Sequence, residues 1–146
     1  MPPLAVFFTL DSVLVARNHP GDDATPTPGA RAILDALDAQ GVPTAVLTNS
    51  PSADVRPLLE ALELVPNALV AADDVGAPTP APAMIFRACE VLDVAPWEVL
   101  VVGTLDDDKR AAATAGALFA GIDGVAGNFT ITSLYEVLSI VDGTHT

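Results

Sequence analysis

The sequence predicts an α/β protein, a three-layer α/β/α sandwich built on a mostly parallel, five-stranded sheet. Short continuous apolar runs alternate with helical patterns along the whole chain, as in parallel strands joined by right-handed helical crossovers. Within the runs polar and apolar residues do not alternate, so the strands are covered on both faces. The residues are 51% hydrophobic but only 5% aromatic, an Ala-, Val- and Leu-rich composition suited to such a sheet. The 146 residues fit one domain, 1–146, with enough chain for a real core and with the last few residues frayed.

The elements follow in order. Residues 4–10 read as the first strand, and 18–28, which hold Pro, Gly and Asp, as a loop. A helix is predicted over 30–40. Ile33, Leu34 and Leu37 form its apolar face, Arg31, Asp35 and Asp38 its polar one, and Gly41 with Pro43 ends it. The second strand is 44–48. Ser50 and Ser52 are candidate caps for the next helix, which carries Leu58, Leu59 and Leu62. Pro57 fits only a first turn, which predicts a late start for that helix. A short third strand at 68–72 leads through proline-rich 78–82 into a helix over 83–92, and the fourth strand is 99–102. Asp106, Asp107 and Asp108 open a helix that runs to Ala115 and stops at Gly116. The fifth strand is 118–122, and Ser133 is expected to cap a last helix through Val141, with His145 and the final threonines as tail.

The formal net charge of −13 argues against phosphate backbones and anionic membrane surfaces, so neither nucleic acid nor membrane is an expected partner. The single cysteine, Cys89, has no partner for an internal disulfide. With no charged apolar leader and no run long enough to span a bilayer, the expected location is the cytoplasm. The Ala, Pro and Asp bias points to a high-GC bacterial gene.

In parallel α/β folds the functional residues lie at the carboxyl ends of the strands. Three such ends stand out. The first is Phe8-Thr9-Leu10-Asp11-Ser12-Val13-Leu14, the second Leu47-Thr48-Asn49-Ser50, and the third Gly103-Thr104-Leu105-Asp106-Asp107-Asp108 followed by Arg110-Ala111-Ala112 and Ala115-Gly116. Between the second and third lies Thr79-Pro80-Ala81-Pro82. No Gly-x-Gly-x-x-Gly or Walker loop follows the first strand.

In order and spacing, along nearly its full length, the chain resembles the haloacid dehalogenase-like (HAD) hydrolases, mostly phosphatases with a Rossmann-like sheet. Their first motif is Asp-x-Asp-Gly-Thr/Val, their second a strand ending in Thr or Ser, their third a lysine, and their fourth Gly-Asp-x-x-x-Asp. The resemblance puts Thr9 at the position of the nucleophilic aspartate and Asp11 at that of the acid/base. It puts Thr48, with Asn49, at the phosphate-contacting strand end, Thr79 at the lysine, Thr104 at the metal-binding aspartate and Asp108 at the second fourth-motif carboxylate. Many members carry a cap domain after the first or second motif; neither stretch here is long enough for one, so no cap domain is expected.

The departures bear on chemistry. A threonine hydroxyl is a weak nucleophile without a base, and Asp11 would have to take that role. Magnesium takes hard, anionic oxygen ligands, and hydroxyls at Thr9 and Thr104 remove two of the charges the family supplies. Asp107 or Asp108 could contribute to a metal site, but Asp106–Asp108 also read as a helix start favoured by the helix dipole. Thr79 cannot screen charge as lysine does. The expected protein is therefore a catalytically degenerate member that acts by binding or regulation. Its partner would be another protein, a second copy of the chain or a phosphate-containing ligand, with no cofactor and Mg²⁺ only if activity remains. The alternatives are a weak Mg-dependent phosphohydrolase using Asp11 and a phosphometabolite sensor using Thr9, Thr48 and Asn49.

Four other residues have ordinary readings. Asp11 fits a carboxylate in the turn after the first strand as well as an acid/base. Cys89, four residues after Ile85 on a helix, fits a buried core thiol. His19 fits an exposed loop position. Trp97 fits packing before a strand, unless it is exposed, when it would mark a partner surface.

Overall fold

The structure, a computed structural model, describes residues 2–16, 23–79 and 81–144. His19, His145, Thr146 and Pro80 lie outside the described residues. At the centre is β1 (Ala5–Thr9), in which every residue but Thr9 is buried. Two short strands, β2 (Val15–Ala16) and β3 (Thr25–Pro26), form an antiparallel ribbon; β3 falls within the predicted loop 18–28 and β2 lies just before it. The remaining strands are β4 (Thr44–Thr48), β5 (Ala68–Ala71), β6 (Val99–Gly103), β7 (Leu118–Ile122) and β8 (Phe129–Ile131). The main sheet runs in the order β5-β4-β1-β6-β7-β8, and every pair in it is parallel.

The sheet thus has six strands, one more than expected. Phe129–Ile131 is too short a run to read as a strand by pattern, and it gains its place by pairing with β7 at the sheet edge. Gly121 makes that edge close: a Cβ there would run into the Val125 carbonyl.

Successive residues of β1 point to opposite faces, so Phe7 and Phe8 seed two separate cores. Val6 and Phe8 join Ile33, Leu34 and Leu37 of α1 (Ala30–Ala39), Val55 and Leu59 of α2 (Ser52–Ala61), and Val137 and Ile140 of α6 (Glu136–Asp142). Ala5 and Phe7 join Met84, Ile85 and Ala88 of α4 (Ala83–Leu92) and Ala111 and Ala112 of α5 (Asp106–Ala115). Helices therefore cover both faces, and the three-layer sandwich is complete. Among the described residues, nothing larger than the β2–β3 ribbon stands between β1 and α1. No described helix is long and apolar enough to cross a membrane.

Two helix ends differ from expectation. Helix α2 starts at Ser52, so Pro57 lies inside it rather than in its first turn. Pro57 and Ala53 are both exposed, so the Ala53 carbonyl that loses its helical partner faces water. The N-cap residue is Pro51, which has no side-chain cap bond; the Ser52 amide donates to Asp73 Oδ1 at 3.3 Å, in the short helix α3 (Ala72–Val75). The last helix starts at Glu136, and Ser133 does cap the turn that leads into it, its Oγ accepting from the Tyr135 amide at 3.2 Å. Glu136 reaches back, its Oε2 accepting from the amides of Thr132 at 2.6 Å and Ser133 at 3.0 Å. Thr144, placed with the tail by sequence, donates its amide to the Ser139 carbonyl at 2.8 Å.

Phe8 is fully buried in the larger core. Phe8→Ala is expected to lower unfolding free energy by roughly 3–5 kcal/mol, read from the urea midpoint at unchanged slope.

Candidate functional site

The carboxyl ends of β1, β4 and β6 meet at the middle of the sheet because these strands are neighbours. Over them lies an open cup of about 80 Å³. Its polar lining is Thr9, Asp11, Thr48, Asn49, Thr79 and Asp108, and its apolar lining is Leu10, Leu47, Met84 and Leu105. That volume is small against the roughly 300–1,000 Å³ of typical ligand pockets.

The turn after β1 sets Asp11. The Leu10 amide donates to the Leu47 carbonyl at 3.1 Å, and the Ser12 amide to the Val15 carbonyl at 2.9 Å. Ser12 takes φ 68°, a left-handed conformation that favours glycine, which the resembling motif has at this position. Asp11 is exposed and lines the cup.

Thr9 lies half-buried at the end of β1, its hydroxyl 3.5 Å from the Val102 carbonyl across the strand pair. Thr48 is buried, and its Oγ1 accepts from the Ser50 amide at 3.1 Å, closing the turn after β4. Asn49 and Thr79 hold each other. The Asn49 side-chain amide donates to Thr79 Oγ1 at 3.1 Å, and the Thr79 amide donates to Asn49 Oδ1 at 3.1 Å. The Asn49 side chain, expected at a phosphate, is thus engaged in fixing the segment that carries Thr79.

Asp108 is the buried charge of the cup, 5% exposed. Its Oδ2 accepts from the Leu105 amide at 3.3 Å, a backward cap on α5. Gly103 makes its place: a Cβ there would come within 2.7 Å of Asp108 Cβ and 2.8 Å of Oδ2. Burial raises the Asp108 carboxyl above the usual carboxylate range; the backbone amides of Leu105 and Thr104 and the Thr9 hydroxyl oppose the shift, and Asp107 adds to it.

The structure therefore brings together Thr9, Asp11, Thr48, Asn49, Thr79 and Asp108, but not Thr104 or Asp107. Thr104 is half-buried beyond the end of β6 and does not line the cup. Asp107 is exposed and pairs with Arg110 at 3.7 Å. The sequence reading missed the apolar lining, and Leu105, an apolar residue between Thr104 and Asp106, was the signal available. Cys89 is buried, its thiol pushed up to about 11 by burial and then by Glu98, which makes it an inert core residue. Trp97 is 76% exposed.

No lysine or arginine is among the described residues lining the cup. Nor is any group of three His, Cys, Asp or Glu side chains among the described residues placed to hold a metal ion. Magnesium needs several anionic oxygens in octahedral array. The cup offers two carboxylates, exposed Asp11 and buried Asp108, the latter already bonded to backbone amides, with hydroxyls beside them, and this set is a poor fit to that ion.

A family model described as haloacid dehalogenase-like hydrolase matches residues 4–116. The phosphoglycolate phosphatase of Escherichia coli (strain K12) is 36% identical over 91 residues, 61% of this chain and 36% of that protein. The phosphoglycolate phosphatase of Nitrosospira multiformis is 36% identical over 97 residues, 65% of this chain and 43% of that protein. The matched stretch is thus less than half the length of either relative. Among solved structures, a HAD-superfamily hydrolase from Ehrlichia chaffeensis superposes with a TM-score of 0.86 at 16% identity, covering 99% of this chain and 98% of that one. A HAD phosphatase from Thermococcus onnurineus gives 0.76 at 26% identity, covering 84% and 61%.

Two outcomes test this geometry. Gly103→Ala is expected to cost roughly 1–3 kcal/mol in chemical denaturation, because the Asp108 side chain must shift. A carboxyl raised by folding contributes stability that is complete below the ordinary carboxylate range and is lost as pH rises through its raised value. Asp108→Asn removes that dependence. Its melting temperature is expected to gain on the wild type as pH rises from about 3.5 to about 7. A constant difference across that range would contradict a raised carboxyl.

Proposed function

The chain belongs to the haloacid dehalogenase-like hydrolases, and from that membership we propose that it is a phosphatase-fold domain that works by binding rather than by phosphoryl transfer. The observation that carries this reading is the replacement of three charged groups by hydroxyls, at Thr9, Thr79 and Thr104. Each loss removes a different part of the chemistry: a carboxylate nucleophile, a cation beside the phosphoryl group and a carboxylate ligand of the metal. The surroundings support the reading. Thr79 is held by Asn49, and the cup holds no described cation to stabilise developing negative charge. The lone cysteine and the charge of −13 support a cytoplasmic protein that binds neither membrane nor nucleic acid.

A second reading, a weak phosphohydrolase, draws on Asp11 at the cup and on relatives that bear the name phosphoglycolate phosphatase. It requires Asp11 to activate a neutral hydroxyl or water, a general-base role worth typically about 10²–10⁴ in rate.

The two readings separate in one assay. Purified chain, with Asp11→Ala as its pair, is incubated with an aryl phosphate and Mg²⁺. The binding reading expects equal, background rates and a melting temperature unmoved by Mg²⁺ or chelator, since a ligand stabilises only the state it binds. Turnover that disappears in the variant would establish the phosphohydrolase instead.

A further inference from the structure

We propose that the strand-end cup takes the ammonium end of a lysine side chain from another protein, in place of phosphate and Mg²⁺; this rests on the non-catalytic reading above. The floor of the cup holds one carboxylate, Asp108, 5% exposed and with no cation paired to it among the described residues. A carboxylate withdrawn from water and faced only by neutral donors is costly, and a cation that reaches it recovers part of that cost. Phosphate has the opposite problem, because it would enter beside a carboxylate with no described lysine or arginine in the lining to offset the repulsion.

The walls favour an aliphatic stem. Leu10, Leu47 and Met84 are buried along the cup, and Leu105 stands 58% exposed at its lip. Lysine carries a charged tip on an apolar stem, which matches an acidic floor under leucine and methionine. The Thr9 and Thr48 oxygens stand beside that floor as further acceptors for an ammonium with three donors. At about 80 Å³ the cup is sized for the end of a side chain, and the compact ammonium suits it better than the planar guanidinium. The net charge of −13 steers a cationic partner toward this chain and repels a second copy of it.

The test titrates ¹⁵N-labelled chain with n-butylammonium chloride and, separately, with acetyl-Ala-Lys-Ala-amide. Tetramethylammonium chloride, magnesium chloride and sodium phosphate serve as controls at matched ionic strength. The expected result is saturable movement of the Thr9, Thr48, Leu105 and Asp108 amides with both primary amines and none with the controls. Asp108→Asn should weaken the amine response by roughly tenfold. Leu105→Lys, at an exposed position, should do the same by placing like charge at the lip. Movement with phosphate or Mg²⁺, equal movement with tetramethylammonium, no movement with either amine, or undiminished affinity in both variants would overturn the proposal. Aryl-phosphate turnover, measured on the same sample, bears on the non-catalytic reading instead. Its absence, together with unmoved amides, would overturn the lysine site alone.

Discussion

A strand with no exposed face sets the terms for the rest of the molecule. β1 has parallel neighbours on both edges, Thr44–Thr48 on one and Val99–Gly103 on the other, and helices above and below. Its residues up to Phe8 are wholly buried, so its register cannot slip without turning Phe7 and Phe8 into the wrong cores. The end of the strand is consequently held rigidly beside the ends of β4 and β6. Thr9, Asp11, Thr48 and Gly103 owe their proximity to that pairing.

Close approach then governs the cup. Asp108 can turn back over β6 only because residue 103 lacks a Cβ. Once there, its carboxylate is met by neutral donors, the backbone amides of Leu105 and Thr104 and the Thr9 hydroxyl. Hydroxyls at Thr9 and Thr79 are compatible with this arrangement: with no described cation lining the cup, a further carboxylate at residue 9 would have set two like charges together in a poorly solvated space. The substitutions at residues 9 and 79 and the single remaining buried carboxylate thus form a mutually consistent set. The Asn49–Thr79 pair completes it, fixing Thr79 at the cup through neutral hydrogen bonds.

The relatives sharpen the contrast. Their names attach phosphoglycolate hydrolysis to proteins more than twice as long as the stretch they share with this chain. What the solved HAD structures share with this chain is the fold. Fold in this sense travels further than function, because sheet packing depends on apolar volume while phosphoryl transfer depends on a few charges.

Much of this was legible in the linear chain. Continuous apolar runs announced a sheet covered on both faces, and Gly116 after an Ala-rich stretch announced the end of α5, because burial and left-handed backbone are local demands that leave local marks. Residue types at the strand ends were equally plain, so the replaced charges at Thr9, Thr79 and Thr104 needed no structure to be seen. Tertiary structure decided what contacts what. β8 is a strand because β7 and its Gly121 accept it, and α2 runs through Pro57 because that face of the helix meets water. Asp107 and Asp108 are adjacent in sequence, yet one points to solvent and Arg110 while the other is buried over Gly103. A helix turns by about 100° per residue, so only its packing against the sheet determines which neighbour is inside. Leu105 likewise became part of the cup only when the β6 end was placed beside β1, a distance in space that no spacing in sequence encodes.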